Sequence, residues 1–292
     1  MARIDVRKTY KLYIGGAFPR SESGHSYEVT DSKGKFVANA SLASRKDVRD
    51  AVVAARKAFG PWSSRTAYNR GQIVYRIAEV MEDRRPQFED AVRQSEGVSA
   101  AAARGQVDAA VDRLVWYAGW ADKLAQVIGN ANPVAGPFFN HTAPEPTGVV
   151  GVLAPQESSL LGLVSVVAPV IVTGNVAVVV SSYSRPLPAV TFSEVLATSD
   201  VPGGVVNILT GDASALGPWL AAHMDVNAID LCGVAGLDNA AELATSLEVA
   251  AADNLKRVRR APDAEPDWTA EPGLSPMTAF VEQKTVWHPI GI

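Results

Sequence analysis

Gly148-Val149-Val150-Gly151-Val152-Leu153-Ala154-Pro155 opens the half of the chain whose pattern decides the fold. From Gly148 onward, short apolar runs alternate with helical ones. Strands are expected to begin near Val149, Ala177, Val205 and Ala228, which lie 28, 28 and 23 residues apart. That spacing leaves room for one helix between successive strands. It predicts a parallel sheet with helices on both faces. A last short strand is expected over Leu255 to Val258. The run from Leu160 to Val180 is long enough to resemble a membrane span. Pro169 and the turn Thr173-Gly174-Asn175 interrupt it, so it reads as a buried helix, a tight turn and a buried strand.

The half before Gly148 reads as helical. Ser44 precedes Asp47 by three residues, as in a capping box with Asp in the Glu/Gln place. Val48, Ala51, Val52, Ala55 and Phe59 then recur at helical spacing, and Gly60-Pro61 is expected to end the run. Ile73, Val74, Ile77, Val80 and Met81 mark a second helix. Val107, Val111, Leu114, Ala118 and Ala121 mark a third. These stripes are core faces and imply no chemistry. Two segments stand outside the sheet. Gly129 to Pro146, rich in Gly, Pro and Asn, reads as an extended arm or hairpin. Ala261 to Gly273 carries Pro262, Pro266 and Pro272 among acidic residues and reads as a linker. Beyond it, Met277 to Pro289, which includes the run Val281 to Trp287, is strand-like.

Composition excludes several classes. Of 292 residues, 47% are hydrophobic and 20% charged, an ordinary globular balance. The net charge of -4 gives no electrostatic case for nucleic acid. Lys256, Arg257, Arg259 and Arg260 are followed at once by Asp263, Glu265 and Asp267, and read as a solvated strand end. A single cysteine, Cys232, rules out an internal disulfide and fits a reducing, cytoplasmic setting. No signal peptide or membrane segment is expected. His25, His141, His223 and His288 are scattered, and no metal site is expected.

The motifs taken in order resemble a known family. Glu145-Pro146-Thr147-Gly148-Val149, with Ala154-Pro155 after it, is similar to the segment that leads into the Pro-Trp-Asn-Phe-Pro motif of the aldehyde dehydrogenases. Ala168-Pro169 and Gly174-Asn175 match that family's Pro-Ala-Leu-x-x-Gly-Asn. Val201-Pro202-Gly203-Gly204-Val205-Val206-Asn207 through Gly211 matches its Pro-x-Gly-Val-x-Asn-x-x-x-Gly. Leu12-Tyr13-Ile14-Gly15-Gly16 resembles its opening. Asn254 to Val258 resembles the strand before its catalytic domain, and Glu282 to Trp287 its C-terminal strand. The resemblance implies an α/β fold: a Rossmann-like parallel sheet with flanking helices, an N-terminal helical region and a small β oligomerisation arm. It divides the chain into residues 1–128 with 147–262 as the cofactor-binding-like domain, and 129–146 with 273–292 as the arm. Residues 263–272 form a linker where the catalytic domain would be.

What the resemblance implies about chemistry is largely missing here. The family's cysteine nucleophile belongs to that replaced domain. Cys232 falls on the threonine of a Phe-Thr-Gly-Ser motif, a place for a buried and inert residue. The glutamate base falls on Ala261, followed by Pro262. The asparagine that donates to the oxyanion falls on Glu157. A carboxylate there accepts hydrogen bonds and would repel a developing negative charge. The lysine and glutamate that hold the adenosine ribose fall on Val180 and Tyr183, and the phosphate-contacting serine on Val234. Losing two charged hydrogen bonds costs about 3–6 kcal/mol, roughly two to four decades of affinity. No catalytic residue and no cofactor are therefore expected, NAD being the group to test.

The expected function is that of a pseudoenzyme subunit that associates with an active NAD(P)-dependent aldehyde dehydrogenase or with itself. Some family members carry a second module without the catalytic cysteine, and this chain resembles such a module. The arm, with Phe138, Phe139, Phe280 and Trp287, is the expected interface. The alternative is a small-ligand or nucleotide binder using a degenerate cleft of Gln156, Glu157, Ser181, Ser182, Tyr183 and Gly233, at the carboxyl ends of the strands. A weak dehydrogenase acting alone would need a nucleophile that the sequence does not offer.

Overall fold

A computed structural model describes residues 7–291. The chain opens with a small three-stranded sheet, absent from the sequence-based expectation. Its strands are β1 (Thr9–Tyr10), β2 (Ser26–Thr30) and β3 (Phe36–Ser41), in the order β1-β3-β2. Five helices follow: α1 (Arg45–Ser63), α2 (Ala67–Asp83), α3 (Arg85–Glu96), α4 (Ala100–Trp120) and α5 (Leu124–Ile128). The capping box at the start of α1 forms as expected. Ser44 Oγ accepts from the Asp47 amide, and Asp47 Oδ2 accepts from the Ser44 amide at 2.7 Å. The expected stop at Gly60-Pro61 does not occur, and α1 runs on to Ser63 with Pro61 inside it. Tertiary packing outweighs the lost hydrogen bond in this last turn: Trp62 is buried, and its Nε1 donates to the Ile171 carbonyl at 2.9 Å.

The arm comes next, as β4 (Asn130–Asn132) and β5 (Phe138–Pro146). The main sheet then alternates with helices: β6 (Val149–Leu153), α6 (Leu161–Val172), β7 (Val176–Val180), α7 (Leu187–Leu196), β8 (Val206–Leu209), α8 (Ala213–Ala222), β9 (Ala228–Asp230), α9 (Ala240–Ala252) and β10 (Arg257–Arg259). The five strands are parallel, in the order β10-β9-β6-β7-β8. This is the α/β architecture expected from the spacing of the apolar runs. Strands β6 and β7 are buried at every position, as strands covered on both faces must be. Helix α6 is also buried along its whole length, against β7, α2 and α4. That explains its continuous apolar run. Among the described residues no helix is long and apolar enough to cross a membrane.

The last strand begins later than expected. Leu255 sits in a left-handed turn at φ 56° with its side chain exposed, so β10 starts at Arg257. After a segment without regular structure, α10 (Ser275–Thr278) leads into β11 (Val281–Pro289). Strand β11 pairs antiparallel with β5 over its whole length, giving a third sheet in the order β11-β5-β4. Asn175 ties this sheet to the main one. Its Oδ1 accepts from the Gly148 amide at 2.8 Å, and its Nδ2 donates to the Phe280 carbonyl at 2.8 Å. Phe280 is 1% exposed, which corrects its assignment to the interface: the ring belongs to the core beside Met277. Phe139 and Trp287, at 65% and 56%, do lie exposed on the arm, and Phe138 packs edge-on against Trp287.

Candidate functional site

Ligands of open parallel sheets bind beyond the carboxyl ends of the strands. Here that edge is built from the loops after β6, β7 and β9. The structure brings together the residues expected there. Ser182 Oγ donates to the Gln156 carbonyl at 2.9 Å, and the Tyr183 amide donates to Gln156 Oε1 at 3.2 Å. Gln156 thus staples the β6 loop to the β7 loop. Arg185 closes the outer side, pairing with the Glu157 carboxylate at 2.6 Å and donating to the Glu157 carbonyl.

These groups are largely used in contacts with one another. Gln156, Ser181, Ser182 and Gly233 are all buried, and only Glu157 and Tyr183 reach solvent. A tight helical turn, Cys232–Gly236, lies directly on the end of β6. Gly233 is required there, because a Cβ would collide with the Ala154 carbonyl. Gly236 stands close over the Gln156 side chain. Val180 and Val234 are wholly buried. The Tyr183 ring stacks on Tyr27 from β2, with centroids 4.5 Å apart, so the first sheet occupies its face.

Beside the turn lies a charged pair. Asp230, fully buried, bonds Arg259 at 3.0 Å across the β9–β10 edge, and its other oxygen accepts from the Cys232 amide at 2.9 Å. The Cys232 thiol is pushed far above the usual thiol range, first by burial and then by the Asp230 carboxylate. It is neither exposed nor electropositive, the two conditions a reactive thiol needs.

The segment expected to be a linker covers the rest of this edge. Glu265 accepts from the backbone amides of Glu157 at 3.0 Å and Ser158 at 2.8 Å, and from the Trp268 indole at 3.1 Å. Glu96, at the end of α3, takes the next amide, Ser159, at 2.9 Å. Arg113 of α4, itself buried, donates to the carbonyls of Trp268 and Ala270 at 2.7 and 2.9 Å. Sequence reading missed Glu96, Arg113, Asp230 and Glu265. Arg113 in an apolar helical stripe and Asp230 in the apolar run Val226–Leu231 were legible signals of paired burial. Glu265, in a Pro- and acid-rich stretch, gave none.

The sequence profile described as the aldehyde dehydrogenase family matches residues 18–258. The chain belongs to the aldehyde dehydrogenase family. It is 32% identical over 266 residues to aldehyde dehydrogenase, cytosolic 1, of Elephantulus edwardii, covering 88% of this chain and 51% of that one. Among solved structures, HpcC of Thermus thermophilus superposes with a TM-score of 0.80 at 28% identity, covering 86% of this chain and 47% of that one. An aldehyde dehydrogenase of Bacillus cereus, solved as its NAD+ complex, gives 0.79 at 25% identity, covering 86% and 50%. The chain spans about half the length of the curated aldehyde dehydrogenase above.

At the positions where the resemblance implies dinucleotide contacts, this aldehyde dehydrogenase family member carries other groups. Where the resemblance implies a lysine, a glutamate and a serine, the chain has a buried valine, a tyrosine stacked on its neighbour and a second buried valine. The amides of Glu157 and Ser158 are already held by a carboxylate, which repels phosphate.

Proposed function

We propose that this chain is a non-catalytic member of its family that associates with an active NAD(P)-dependent aldehyde dehydrogenase, or with a second copy of itself. One observation carries the reading: the only thiol of the chain, Cys232, is buried with its pKa raised beside the Asp230 carboxylate. The neighbouring positions agree with it. Glu157, at the oxyanion position, is tied to Arg185 as an acceptor and cannot donate. Ala261, at the base position, has no proton to move. The β11-β5-β4 sheet supplies the surface for association, with unpaired backbone groups along its outer strand and exposed Phe139 and Trp287 on its side.

The test combines activity with assembly. The purified chain is expected to form no NADH with short or aromatic aldehydes. Native mass spectrometry of material purified from the source cells is expected to find it in complex with a full-length family member or with itself. Aldehyde-dependent NADH formation that vanishes in Cys232→Ala would sink the proposal. So would a chain that stays monomeric at all concentrations and captures no family member.

A further inference from the structure

The segment 261–273 makes contacts that a passive spacer does not need. Two carboxylates, Glu265 and Glu96, occupy three successive backbone amides of the loop after β6: Glu157, Ser158 and Ser159. Three consecutive amides of the loop that precedes α6 donate to carboxylates, and such a run of N–H groups favours negative charge. Only Glu265 comes from the segment itself. It is locked a second time by the Trp268 indole, and the backbone beyond it is clamped by Arg113. The same carboxylate lies beside Gly236, in the turn that covers Gln156 and buries Cys232. One side chain therefore holds the β6 loop and stands against the turn after β9, the two loops that would have to part before anything could enter the cleft.

We propose that residues 261–273 form an autoinhibitory strap, with the Glu265 carboxylate as the latch that keeps the β6 and β9 loops closed over the cleft. The strap stands in for an external anion with an internal one. A ligand or partner reaching the cleft has to displace Glu265 from the Glu157 and Ser158 amides. Closure is held by charge-assisted contacts of Glu265, and such contacts open locally without global unfolding. Trp268 packs partly buried against the main core, so opening the strap breaks this contact as well.

The inference rests on the reading that this cleft is not a working dinucleotide site, and the two fail separately. Calorimetry giving a micromolar Kd for NAD on the unaltered chain ends that reading alone. The strap is tested on the sole thiol. Iodoacetamide labelling of Cys232 and amide-resolved hydrogen exchange at Glu157 and Ser158 are followed in the full chain and in Glu265→Ala. Both rates are expected to rise together by about tenfold or more, the loss expected from one charge-assisted hydrogen-bond set. Gly71→Ala, which strains the contact of α2 with α4 and meets no strap residue, is expected to leave their ratio to other core amides unchanged. Unaltered rates in Glu265→Ala overturn the proposal. So does faster amide exchange without faster labelling, or an equal rise in Gly71→Ala. Should Glu265→Ala fail to fold, Glu265→Gln, which keeps one acceptor oxygen, and Trp268→Phe, which removes the indole donor, are each expected to show a smaller rise of the same kind; no rise in either overturns the strap.

Discussion

His223, at the end of α8, illustrates how a single residue reports its surroundings. Partial burial lowers its pKa, with Lys256 and Arg56 adding to the effect and Asp225 opposing it. Its Nδ1 accepts from the Asp225 amide at 3.1 Å, so the neutral ring is the form the fold uses. In the unfolded chain the ring takes a proton near the ordinary value of about 6.5. The folded chain refuses it until the pH is lower. Between those two points the unfolded state binds more protons, so stability rises with pH, and it is lost as pH falls through this window. His223→Asn keeps an acceptor for the Asp225 amide and removes the titration. Thermal midpoints measured from about pH 5 to about pH 7.5 are expected to rise more steeply in the unaltered chain than in the variant. Equal slopes would show that the histidine is solvated alike in both states.

At the scale of elements, the sequence announces what periodicity can encode. The spacing of the β strands and the stripe of Ile73, Val74, Ile77 and Met81 follow from burying one face or both, and the structure places them so. Asn175 and Gly148 are legible for the same reason, since a turn between buried elements needs its polar groups matched. What stayed hidden depends on partners distant in sequence. Helix α3 carries only a short stripe of Phe88, Ala91 and Val92, and β1 to β3 are too short for their alternation to stand out. Pro61 promised a stop that the anchored Trp62 ring overrides. Where α2 crosses α4, Gly71 lets the backbones meet. A Cβ there would stand 2.9 Å from the Ala118 carbonyl and 3.0 Å from the Ala121 methyl, with no flexible side chain to give way. Gly71→Ala is expected to lose about 1–3 kcal/mol by overpacking. Urea unfolding reads this as a lower midpoint with unchanged slope; an unchanged midpoint would mean that the two helices slide apart freely.

For the whole molecule, the point to test is the association proposed through the arm. Met277 and Phe280 are core residues, so removing the tail would damage the fold as well as the arm. Surface charge is the cleaner probe. Phe139→Lys with Trp287→Lys leaves the core intact and places cations on the exposed arm. Sedimentation is expected to show a smaller assembly for the double variant, and the same size in both would exclude this face as the interface. The pairing of β11 with β5 carries one more consequence, which lies in time rather than space. Thr142 and Thr285 face each other across that sheet although 143 positions separate them. A ribosome adding about 5–20 residues per second needs roughly 7–30 s to travel between them. Through that interval β5 has no β11 to pair with, while sheets built from distant segments are the slowest to close. Until then the edge of β5 that β11 will cover is open, so the inward pairing is the last part of this sheet that synthesis allows to form.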